Sequence, residues 1–485
     1  LRKSAEDVLE DLARSSNISL HSNDELVRAV ARAATAADKE RAKKKAEAKK
    51  PKNEDTALRR KPELLPIRAW NERAIPLTPW DVLHTLGRAI ALSRRGAARG
   101  LAEHWGALKY SQALTDDMSR FMKLSVEGKS STSQRYKAIQ SNELGIGFAL
   151  AIAERVLSHR YPDRVVSIVP ADTALRAGWA LTSKEKGTRI KYSYRPQFFA
   201  EVWKPGEPSL VVPVACKGSH SNTAYCSRQL ASASAHVEAV HIGPWNETPA
   251  LIFSTTLPSD KDRHVTVHAL RAGGNGGWLS APRGTGPGVD TPLEDVNQPP
   301  NITVPARGGE PPRSDLGFHI TKKQFDWFAR VVARTDAAGL TAFAGHGNAT
   351  AQYLTKRQGK EYFETDFEHA AAQSVQDAEQ DLLGICFSGT DHIFRLNGPR
   401  VEAFSGVARD LLGHLVRGEV AEYRRKTYRR RTKWPHTTWD DDWGGPVSIH
   451  PDGSVLAMRL LPEGGEVVRR RRPARTPISA TAPAP

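Results

Sequence analysis

The chain has 485 residues, 39% hydrophobic and 26% charged, enough for two or three cores rather than one. Lys and Arg number 70 against 54 Asp and Glu, a formal net charge of +16, and such an excess favours polyanionic partners through counterion release. The three cysteines (Cys216, Cys226, Cys386) fit no zinc spacing and no run of about 18 apolar residues is present, so a zinc module and a membrane-spanning helix are excluded and the expected compartment is the cytoplasm.

Residues 1–62 read as a charged, helical N-terminal arm. Leu9, Leu12, Leu26, Val27 and Val30 give short amphipathic pieces. The basic run over 41–52 reads either as a solvated helix or as a nucleic-acid arm. Residues 63–130 read as a helical lead-in: Thr78 and Pro79 are a start signal, and Trp80, Val82, Leu83, Leu86, Ile90 and Leu92 form a helical stripe. Beyond residue 140 helices alternate with strands. Leu144, Phe148, Ile152 and Val156 recur every four residues and predict a helix capped by Ser141 or Asn142, with Glu143 in its first turn. Strands are expected over 164–169, 195–203, 210–216, 250–255 and 265–270.

Residues 271–315 are rich in Gly and Pro and read as a linker. Their glycines lack the following Lys-Ser/Thr of a phosphate loop. A C-terminal domain, helical or α+β, is expected over 316–461. Phe325, Phe328, Val331 and Val332 mark one helix, and Val407, Leu411, Leu412, Leu415 and Val416 another. A hairpin is expected over 447–461, turning at Pro451-Asp452-Gly453. Residues 462–485 form a basic, Pro-rich tail with the composition of a disordered segment.

The stretch 194–219 carries the chemistry. It reads as a β-hairpin turning at Lys204-Pro205-Gly206-Glu207-Pro208 and ending in Lys217. If Trp203 lies near Leu210, Gln197 lies near Cys216. Strand alternation puts Gln197, Phe199 and Glu201 on one face, and Ala215 and Lys217 together on the partner strand. Glu201 then stands about four residues, roughly 13 Å, from the Lys217 end.

The order of helix with acid, strand, strand, lysine and helix resembles the PD-(D/E)xK phosphodiesterase superfamily over about residues 140–256. Glu143 matches the acid of the first helix, Pro196-Gln197 the start of the second core strand, and Ala215-Cys216-Lys217 the end of the third. Gln197 and Ala215 stand where that family has acids. The resemblance implies an α/β fold: a restriction-endonuclease-like core sheet flanked by helices. It also implies Mg²⁺-dependent hydrolysis of DNA phosphodiesters, in a restriction or anti-phage defence setting. Glu143, Gln197 and Lys217 would be catalytic, and Glu143 with Asp172 or Glu201 would hold the metal. A carboxylate-bound metal activates water and a lysine supports developing negative charge. Each residue also has a plainer reading. Glu143 can favour the helix dipole, Asp172 can be a turn residue, and Lys217 can be a surface lysine.

The densest basic-aromatic cluster is Arg424, Arg425, Lys426, Tyr428, Arg429, Arg430, Arg431 and Lys433. Its cations suit phosphates and its rings suit bases. The expected partner is DNA, with RNA left open, a homodimer allowed and no membrane. The alternative is an inactive nuclease-fold DNA-binding protein or an interaction scaffold. His220, His236 and His241 read as structural or solvent-facing. Ser388-Gly389-Thr390-Asp391-His392 is too local for a triad, whose members come from distant segments.

Overall fold

The computed structural model describes residues 3–47, 63–67, 74–92, 102–116, 120–130, 133–185, 188–191, 194–221, 225–258, 263–280, 288–304, 312–364 and 375–462. It is a mixed α/β structure built on two sheets.

The N-terminal segment contributes α1 (Ala5–Ala13), β1 (Ser16–His21) and α2 (Asp24–Glu47). Ser4 and Asp7 close a capping box at the start of α1. These elements are therefore not an arm, because β1 lies inside the first sheet. The distal part of the basic run, with Lys49, Lys50 and Lys52, lies outside the described residues, as do Arg94, Arg95 and Arg99. After β2 (Ala74–Leu77), α3 (Pro79–Ile90) begins at the expected signal: Thr78 Oγ1 accepts from Asp81 N and Pro79 takes the first position.

Helix α4 (Gln134–Arg160) starts at Ser133, whose hydroxyl accepts from Tyr136 N. The expected cap at Ser141 or Asn142 is thus displaced by more than two turns, and Glu143 sits in the helix interior rather than its first turn. The apolar stripe at Leu144, Phe148, Ile152 and Val156 is buried. There follow β3 (Val165–Pro170), α5 (Ala171–Arg176), β4 (Phe198–Trp203), β5 (Ser209–Ser219), α6 (Cys226–Val237), β6 (Ala250–Thr256) and β7 (Thr266–Ala272).

The first sheet runs β2-β1-β7-β6-β5-β4-β3. Strands β3, β4 and β5 are successively antiparallel, β5 and β6 are parallel across the α6 crossover, and β7 is antiparallel to β6. One face buries Phe198, Ala200, Val212, Val214 and Cys216 against α3 and α4. On the other, Phe199 and Val211 pack with Phe328, while Ala215, Ile252 and Leu270 pack with α6 and α2. Alternation along each strand produces both cores at once.

The Gly/Pro-rich segment does more than link. Trp278–Leu279 pairs with the start of β5, and Asn301–Val304 pairs with Arg313–Leu316. Helix α7 (Phe325–Phe343) then crosses to a six-stranded sheet of β8 (Val375–Leu382), β9 (Ile385–Arg395), β10 (Arg400–Ala408), β11 (Trp439–Asp440), β12 (Gly445–Ile449) and β13 (Ser454–Leu460), in the order β8-β9-β10-β13-β12-β11. Between β10 and β11 lie α8 (Arg409–Val416) and α9 (Val420–Arg430). The expected hairpin is present, with Gly453 at φ 85° in its turn.

A continuous hydrophobic core joins α1, α3, α4 and the second sheet. Buried polar bonds cross the same junction. Trp80 Nε1 donates to Leu456 O at 2.7 Å, and Arg88 lies 3.4 Å from Asp336 and 3.2 Å from Asp452. Burial pushes the Asp336 carboxyl up to about 6.

Candidate functional site

Strand β5 meets α4 at a close backbone approach. A Cβ on Gly218 would stand 1.7 Å from Ser141 O, and one on Gly145 would stand 2.9 Å from Gly218 Cα. Ser141 and Gly145, one turn apart, therefore face the strand. Glu143 lies between them in sequence and about 200° from each around the helix. Its carboxylate points away from β5, where Tyr110 Oη donates at 2.7 Å and Lys109 Nζ pairs at 2.5 Å. The acid expected beside Lys217 is turned to the other side of α4.

The hairpin register is one residue from expectation. Val202 pairs with Leu210 and Phe198 with Val214, where the sequence suggested Trp203 with Leu210. Gln197 still reaches the intended strand end. Its Nε2 donates to Cys216 O and its Oε1 accepts from Cys216 N, both at 2.7 Å. Gln197 thus extends the ladder as a backbone mimic, and both its amide atoms are occupied.

The other two expected metal ligands are also taken. Asp172 on α5 forms a forked pair with Arg195, with Nη2 to Oδ2 at 2.8 Å. Glu201 on β4 is buried and pairs with Arg424 Nη2 at 2.8 Å. Glu143, Asp172 and Glu201 each have a different cation in a different place. Among the described residues no group of three or more His, Cys, Asp or Glu is placed to hold a metal ion. The donor set does not fit Mg²⁺, which is bound through one or two carboxylates free to ligate it.

Lys217 shares its face with Ala215, one pleat beyond the contact with α6. It pairs with Ser254 on β6, Ser254 with His268 on β7, and His268 with His21 on β1. Directly paired residues project to one side, so these four form a row across four strands at about 4.8 Å spacing. Burial lowers the Lys217 pKa, and its ammonium has no hydrogen-bond or ion-pair partner among the described residues. His268 is pushed down to about 4, first by burial and then by His21, with ring centroids 5.2 Å apart. Its Nδ1 is buried with no hydrogen-bond partner among the described residues. His236 is likewise pushed down to about 4 by burial and by the Lys217 charge, and its Nδ1 donates to Arg195 O at 3.0 Å. Gln229 bridges Ser254 Oγ and Gly218 O. The row contains a cation, a hydroxyl and two imidazoles, and no carboxylate.

The basic cluster at the C-terminus divides by helical phase. Val420, Tyr423, Arg424 and Thr427 form the inward stripe of α9. Arg424 lies over the Trp203 ring at 4.2 Å, and Arg431 over Tyr428 at 4.1 Å. Arg425 pairs with Glu422 and Arg430 with Asp410. Lys426, Arg430 and Lys433 line a cleft and Arg429 is exposed. Arg424 is held between the Glu201 carboxylate and the Trp203 ring.

Neither His21 nor His268 was singled out from sequence, since each is the single histidine of its strand. Only the register of β1, β7, β6 and β5 aligns them with Lys217. His220 bonds Leu257 O, and His241 stacks on Trp245. Asp391 and His392 are adjacent on β9, and alternation turns them to opposite faces, so that segment makes no triad.

The chain matches no protein-family model, no curated protein and no solved structure. Among the described residues no helix is long and apolar enough to cross a membrane.

Proposed function

We propose that this chain is a DNA-binding protein built on a restriction-endonuclease-like scaffold, with Lys217 as a phosphate contact rather than part of a metal centre. Support for the scaffold comes from the connectivity: a helix, three successive antiparallel strands, Lys217 on the third, then a helix and a parallel strand. The single observation that carries the function is the surrounding of Lys217. An ammonium with no partner among the described residues, flanked by Ser254, His268 and His21 with no acid in the row, attracts an anion. It would repel a divalent cation. A phosphodiester oxygen suits the Lys217 ammonium, and the net charge of +16 suits the same partner. The restriction or anti-phage setting belongs to the resemblance.

Fluorescence anisotropy on a labelled duplex across a salt series, with a parallel cleavage assay in Mg²⁺, tests this reading. The expected result is salt-dependent binding without cleavage. Lys217→Ala should weaken binding by about tenfold and lower the salt slope by about one. Mg²⁺-dependent cleavage abolished by Lys217→Ala would overturn the non-catalytic reading and restore hydrolysis. Binding that ignores both salt and Lys217→Ala would overturn the DNA reading itself.

A further inference from the structure

A second cationic site lies away from Lys217, between α8, α9 and the turn joining β8 to β9. It is a cleft of about 790 Å³. Arg409 and Arg417 come from α8 and the residue after it, Lys426 and Arg430 from α9, and Lys433 from the turn beyond. Five cations line it against one carboxylate, Asp410.

Helix geometry explains why these side chains converge. Arg424 faces inward onto Glu201 and Trp203, and residues 426 and 430 lie about 200° and 240° around the helix from it, on the outward side. Lys426 and Arg430 are one turn apart. With Lys433 they extend the stripe over about 10 Å, the axial rise of roughly three phosphates on one strand. The ammonium groups of Lys426 and Lys433 have no hydrogen-bond or ion-pair partner among the described residues. The remaining cations are held by acids at the surface: Arg430 by Asp410 at 2.7 Å, Arg417 by Glu419 at 2.9 Å, Arg409 by Glu379 at 3.4 Å. Asp410 and Glu419 are half-exposed, so a phosphate can compete with them for the guanidinium forks.

We infer that this cleft is a phosphate-backbone docking site for a nucleic-acid strand, separate from the Lys217 row. Contacts of this kind position a strand and carry no base readout. Trp434, the aromatic residue of the lining, is buried and donates its Nε1 to Pro451 O, so the cleft offers no platform for stacking. The inference rests on the DNA-binding reading and gives that reading a second, independent contact.

Two charge-matched variants test it by anisotropy on the full chain, with a labelled duplex and a labelled single strand. Lys426→Gln/Lys433→Gln removes two charges from the cleft. Arg425→Gln/Arg429→Gln removes two from the same segment outside it. All four side chains are at the surface or partly exposed, so both proteins should fold, which circular dichroism verifies. The cleft variant should lose at least tenfold in affinity at about 0.15 M salt, with a salt slope lower by about two. The control should change less than threefold. Equal losses in both variants, or none in either, overturn the cleft while leaving wild-type DNA binding in place. A wild type that binds neither probe overturns both proposals, whereas binding lost only in the cleft variant supports the cleft even if Lys217→Ala has no effect.

Discussion

Arg424→Ala separates a structural from a ligand-binding role for the most inward cation of α9. Glu201 is 1% exposed and Arg424 is 14% exposed, so the pair is nearly out of water. The guanidinium also covers Trp203, and Glu201 Oε2 has no hydrogen-bond partner among the described residues. Removing the arginine leaves an uncompensated carboxylate inside the protein, a change that costs about 3–5 kcal/mol. Glu201→Ala leaves the arginine at the edge of the interior, where its head still reaches solvent. Its cost should be smaller, about 1–3 kcal/mol for a lost charged hydrogen bond. The double variant should therefore cost about as much as Arg424→Ala alone and less than the sum of the two singles, a coupling of about 2 kcal/mol. Urea denaturation followed by tryptophan fluorescence reads all three, because Trp203 lies at the site. If Arg424→Ala keeps the wild-type midpoint and instead weakens DNA binding, Arg424 is a phosphate ligand and the inward assignment of this face is wrong.

Two further outcomes follow from the buried polar chain and the tight helix contact. Folded Asp336 keeps its proton to about pH 6, whereas the unfolded chain releases it near 3.8, so the folded state binds more protons in between and stability falls as pH rises across that window. The fall amounts to about 3 kcal/mol, and Asp336→Asn should remove it; equal pH slopes for the two proteins between 4 and 6 would contradict the burial argument. Gly218→Ala forces a Cβ onto the backbone carbonyl of Ser141, which cannot swing aside as a side chain would. The expected loss is about 3 kcal/mol, and an unchanged urea midpoint would show that α4 and β5 are not in contact there.

The individual elements were largely legible because their signals are local. The Thr78-Pro79 start, the α4 stripe, the strands around 198–216 and the Gly453 turn depend on residues adjacent in sequence. The start of α4 was not, because residues 134–140 carry no apolar stripe and the cap at Ser133 is a single polar residue among several. Strands β8 and β9 also escaped: Val375–Leu382 carries three acids and reads as a solvated segment. Phase error then had chemical consequences. A helix begun at Ser141 places Glu143 at its mouth, but the observed helix commits Glu143 to the side opposite β5.

Sequence alone determined that the chain is cationic, mixed α/β, and equipped with a strand that carries Lys217 near Gln197. It also marked the segment over 424–433 as the densest basic-aromatic cluster. Tertiary structure decided which charges are available. Ion pairing consumes Glu143, Asp172, Glu201 and Arg424, and no local pattern announces partners 34, 23 or 223 residues away. Sheet register placed His268 and His21 in line with Lys217, and helical phase turned Lys426 and Arg430 outward while Arg424 turned in. Charge is a property of composition, but whether a charge meets a ligand or another side chain depends on long-range packing.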